Sequence, residues 1–123
     1  SMESNRVARW ALLALASFLA VTALAGGAAL ITGDIAPGLE LLEGSPWDSY
    51  AVPGLALLSV GACAAAAAWA VWRRHGLAAR LSMLAGAMIV AFEAVEALYI
   101  PYHPLQPFYG LVGAAMIWLA WRG

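Results

Sequence analysis

Four apolar stretches of membrane-crossing length, joined by links of a few residues, constrain this chain more than any motif in it. They run over about 7–32, 45–72, 77–100 and 104–121, and a hydrocarbon core of about 30 Å takes ~20 helical residues to cross. The link Arg73-Arg74-His75-Gly76 has room only for a tight turn, and so does Pro101-Tyr102-His103-Pro104. Short links make consecutive helices antiparallel neighbours. The pattern predicts an all-α, up-down-up-down bundle of four transmembrane helices, a single domain over 1–123. Composition agrees: 64% of the residues are apolar and 11% charged, where soluble domains carry roughly 45–50% and ~25%.

Charge then orients the bundle. All six basic residues are arginines, namely Arg6, Arg9, Arg73, Arg74, Arg80 and Arg122, and they flank one end of the apolar segments. Six of the seven acids fall at the other: Asp34, Glu40, Glu43, Asp48, Glu93 and Glu96. Short loops rich in Arg stay cytoplasmic, so both termini are expected inside a bacterial inner (plasma) membrane, crossed several times. Aromatic residues repeat the pattern. Trp10, Trp69, Trp72, Trp118 and Trp121 mark the inner border; Trp47, Tyr50, Tyr99, Tyr102 and Tyr109 mark the outer one. Because topology accounts for the arginines, no nucleic-acid partner is expected.

Local signals add detail. The first segment could be mistaken for a signal peptide ending near Ala23-Leu24-Ala25, but its apolar run exceeds the ~7–15 residues of a signal core, so it reads as a permanent helix. Ser1 ahead of Met2 reads as a remnant of expression. Ser45-Pro46-Trp47-Asp48 has the form of a capping box, with Ser45 as N-cap and Asp48 at N3, and predicts that the second helix begins there. Pro53 is then expected to kink that helix and free the Ser49 carbonyl. The small residues over 61–68 permit close helix approach, and Gly26-Gly27 or Gly61/Ala65 are candidate faces for a homodimer. In the outer loop, 37–43 is expected to form a short amphipathic segment lying over the outer mouth.

Glu93 and Glu96 are the exceptional pair. At i and i+3 they share a helix face, and Glu93 lies roughly 10 Å below Ile100 at 1.5 Å per residue. Ionisable groups at that depth are expensive and normally face the bundle interior or a wet cavity. Four readings compete: a site for the cationic or polar group of a small ligand or lipid, a proton site coupled to transport, a metal site completed by His103, and structural glue hydrogen-bonded to tyrosines. Two carboxylates and an unpositioned imidazole make only a weak metal signal. His103 and His75 read as turn residues, and Cys63 as a small packing residue. No nucleophile–base pair, phosphate loop or C-x-x-C is present; no reaction class and no cofactor is implied.

The stretch Gly44-Ser45-Pro46-Trp47-Asp48-Ser49-Tyr50-Ala51-Val52-Pro53-Gly54, the Arg-rich turn, and Leu105-Gln106-Pro107-Phe108-Tyr109 together resemble a family of small four-span actinobacterial membrane proteins. The resemblance covers most of the last three helices and implies the topology but no activity. A single acid is more usual in that family's third helix, so the Glu93/Glu96 pair departs from it. A four-helix membrane bundle is also similar to small multidrug exporters. Their essential acid lies in the first helix, where this chain has none between Val7 and Thr32. The expectation is a binding protein whose outward cavity is floored by Glu93 and Glu96. Trp47, Asp48, Tyr50, Tyr99, Tyr102 and Gln106 would form its rim. A homo-oligomeric proton-coupled transporter and a structural subunit of a larger complex are the alternatives. The expected partners are membrane lipid, a small amphipathic or cationic ligand and a second copy of the chain.

Overall fold

A computed structural model of the chain describes residues 2–33, 42 and 44–123, with side chains from Asn5 onward. It consists of α1 (Met2–Thr32), α2 (Ala51–Trp72), α3 (Ala78–Tyr99) and α4 (Leu105–Arg122), with no strand among the described residues. Three of these helices, α1 to α3, are long and apolar enough to cross a membrane. α4 is shorter, at 18 residues, and carries Gln106, Pro107 and Arg122 within that length. Each helix packs on the next, and α4 returns to α1 through the loosest of the four seams.

The bundle is built from small residues inside and large ones outside. Ala16, Ala23, Ala64, Ala67 and Ala85 are buried, whereas Val21, Leu55, Leu84, Leu98 and Leu111 face outward and are each more than half exposed. A water-soluble monomer rarely tolerates so much outward apolar surface. In lipid, by contrast, close approach of small residues is what holds helices together.

Two glycine contacts show how tight that approach is. A Cβ on Gly27 would sit 2.8 Å from the Gly54 carbonyl oxygen, and one on Gly86 would sit 2.6 Å from that of Gly113. Gly61 is closed in the same way by Leu24. The faces at Gly26-Gly27 and Gly61, expected from sequence to be free for a second copy, are therefore consumed inside the chain by the α1–α2 pair. Ala65 on the same helix is exposed.

The second helix corrects the sequence reading at its start. It begins at Ala51 rather than 45, with Tyr50 as N-cap and no side-chain cap. The Ser45 hydroxyl instead donates to the Leu42 carbonyl at 2.6 Å and accepts from the Trp47 N–H at 3.3 Å, holding a turn. Pro53 thereby falls in the first helical turn, where its missing N–H would lack a helical partner anyway, so it neither kinks the helix nor frees Ser49. Of the expected amphipathic segment over 37–43 only Leu42, which is buried, belongs to the described residues.

The other end of α2 closes in a Schellman arrangement. The His75 N–H donates to the Ala70 carbonyl at 2.8 Å and the Arg74 N–H to that of Val71 at 3.2 Å. The left-handed position this motif needs is filled by Arg74, at φ 53°, and not by the nearby Gly76. From α1, the Arg9 guanidinium donates to the Val71 and Trp72 carbonyls at 3.2 and 3.0 Å, satisfying groups that a helix end leaves orphaned.

Candidate functional site

The α3–α4 register follows from the Gly86–Gly113 contact. Glu93 is seven residues after Gly86, and Gln106 is seven before Gly113, so in antiparallel helices both lie about 10 Å along from that contact. This is why the third helix's acids lie level with Gln106 near the start of the fourth. Glu93 and Glu96 are half-buried and lie one helical turn apart on one face of α3. The Glu93 Oε2 is closed off from solvent and has no hydrogen-bond partner among the described residues. Gln106 is itself buried and donates to the Pro101 carbonyl at 3.4 Å. The His103 Nδ1 accepts from the Leu105 N–H at 3.1 Å and starts α4.

Of the remaining residues expected at the rim, Trp47 and Tyr99 meet edge-to-face at 5.7 Å, and Tyr50 is buried. Asp48 and Tyr102 are exposed, and neither forms a hydrogen bond or ring contact among the described residues. Tyr109 stacks on Phe18 at 5.9 Å within the α1–α4 seam. No three His, Cys, Asp or Glu side chains among the described residues come together to hold a metal ion, which leaves the Glu93–Glu96–His103 metal reading without a geometry. Cys63 packs in the core, its thiol 3.8 Å from the Leu81 carbonyl.

The arginine end holds a feature that sequence reasoning missed. A cleft of about 290 Å³ lies between the ends of all four helices, with Asn5, Arg9, Arg74 and His75 among its polar lining and Leu12, Val71 and Leu119 among its apolar lining. Those polar residues are up to 70 positions apart in sequence, and only the closed bundle gathers them. Around the same end stand the exposed Trp10, Trp69, Trp72, Trp118 and Trp121, with Arg9 over the Trp10 ring at 5.2 Å and Arg122 over Trp118 at 4.7 Å.

Fold and site together define an all-α, membrane-type helical protein with a paired-acid cluster at one end and a basic cleft at the other. No protein-family model, curated protein or solved structure matches the chain.

Proposed function

We propose that this is an integral membrane protein that binds the cationic or polar group of a small amphipathic molecule or lipid at Glu93 and Glu96. The observation that carries the reading is the solvent-excluded Oε2 of Glu93, without a partner among the described residues and one helical turn from a second half-buried carboxyl at Glu96. Leaving a buried acceptor unsatisfied costs about 1–3 kcal/mol, and a donor or cation supplied by a ligand would recover it. The neighbouring Trp47–Tyr99 pair suits a soft organic cation, since aromatic faces attract such charge at about 0.5–2 kcal/mol. On this reading all four helices span a bacterial inner membrane and the arginine end is cytoplasmic. The acids then open outward, and the chain belongs with the small four-span proteins it resembles.

Tetraphenylphosphonium, a lipophilic cation, is a suitable probe. Wild-type protein is expected to gain thermal stability with rising probe concentration, by about 2.7 kcal/mol at a hundredfold excess over Kd. The Glu93→Gln/Glu96→Gln double variant is expected to fold normally and gain nothing. Equal stabilisation of both proteins would remove the reading. The alternative is a homo-oligomeric proton-coupled transporter, which two half-buried carboxyls on one helix face would also suit. That alternative is supported if the probe drives a pH change in proteoliposomes and the double variant does not.

A further inference from the structure

We propose that the cleft at the arginine end binds the phosphate of an anionic amphiphile, as a headgroup site for an acidic phospholipid of the adjoining leaflet. The cleft concentrates positive charge from Arg9 and Arg74. Among the described residues neither arginine forms an ion pair, and no acidic side chain contributes to the lining. Donors remain available. Arg9 uses two N–H groups on the Val71 and Trp72 carbonyls, leaving three of the five in its guanidinium. The His75 Nδ1 accepts from the Leu77 N–H at 3.0 Å, which in the neutral ring puts the proton on Nε2 as a further donor.

The backbone supplies an independent indication. Arg74 occupies the left-handed position of a helix end, where glycine ordinarily sits. A side chain retained in such a conformation points to a role for that side chain.

Size and surroundings select the amphiphile. At about 290 Å³ the cleft lies at the low end of the ~300–1,000 Å³ of small-molecule sites, which suits a headgroup better than a whole lipid. Leu12 of α1 and Leu119 of α4 carry the lining into the loosest seam of the bundle, a path for an acyl chain. The tryptophans at this end mark the depth at which headgroups lie.

The test is native mass spectrometry of the full chain in a neutral detergent, offered phosphatidylglycerol or phosphatidylcholine of matched acyl chains. sn-Glycerol 3-phosphate serves as a soluble competitor. Preferential retention of phosphatidylglycerol is expected. Arg74→Gly is expected to lower that retention about fivefold, the equivalent of ~1 kcal/mol per basic residue at an anionic surface. Arg73→Ala, which removes the same charge from a neighbour outside the cleft lining, is expected to leave retention unchanged. Because glycine suits the backbone at 74, that variant should melt no lower than wild type, so lost binding cannot be lost folding. Equal retention of the two lipids, or equal effects of the two variants, would overturn the proposal. So would displacement of the lipid by an equal concentration of glycerol phosphate, which would assign the cleft to a soluble phosphate.

Discussion

Replacing Gly86 by alanine tests the packing that brings the acids to Gln106. The new Cβ would lie 2.6 Å from the Gly113 carbonyl oxygen and 2.9 Å from Ile117 Cγ1, against 3.4–4 Å for ordinary contact. The nearer of these is backbone, which cannot swing aside, so α3 and α4 must part by about 0.8 Å, the difference between 3.4 and 2.6 Å. Overpacking of this kind costs about 1–3 kcal/mol, while alanine's better helix propensity returns about 1 kcal/mol. Sterics win, with a net loss of about 1 kcal/mol. Gly110, on the same α4 surface region but with nothing within 4 Å of its would-be Cβ, provides the control: Gly110→Ala should gain about 0.5–1 kcal/mol. Unfolding in mixed micelles of rising SDS fraction, followed by the fluorescence of the six tryptophans, reads both. Opposite signs are expected. If both alanines stabilise alike, α3 and α4 do not meet through this face, and the placement of the acids level with Gln106 fails with it.

Other expectations follow from single contacts. Arg74→Gly should stabilise the ligand-free protein by about 0.5–1 kcal/mol, since the left-handed conformation costs other residues about 1–2 kcal/mol; the same SDS titration checks it. Arg9→Leu removes both bonds to the end of α2 and should destabilise by about 1–2 kcal/mol, with Arg9→Lys recovering only part because a point charge cannot reach both carbonyls as a fork does. Gln106→Leu, nearly isosteric, removes the buried amide that α4 places level with the acids and should weaken the tetraphenylphosphonium thermal shift more than it lowers the melting temperature of the free protein.

The helical class, the apolar lengths and three of the four helix positions were legible because bilayer thickness sets them, and side-chain detail barely enters. α3 and α4 begin and end within one residue of where the apolar runs place them. The start of α2 was not legible, because a Ser-Pro-Trp-Asp sequence fits an N-cap and a free-standing turn equally well. What decides is the Leu42 carbonyl, which captures the Ser45 hydroxyl. The adjacency of Glu93 and Glu96 was visible from their spacing, since helix geometry alone puts them together. Gln106 was expected only at a rim; that it is buried level with the acids depends on the α3–α4 register, which two glycines fix at a distance. The arginine cleft was hidden for a stronger reason. Charge counting treats each arginine as a topology signal, whereas Arg9 reaching a helix end 62 residues away is a tertiary contact with no local signature.

The most direct measurement is native mass spectrometry of the protein released gently from its own membrane, wild type beside Glu93→Gln/Glu96→Gln. A small adduct of constant mass should accompany the wild type and be missing from a double variant that is equally folded. Identical adducts on both proteins, or none on either, would contradict a ligand site at the paired acids.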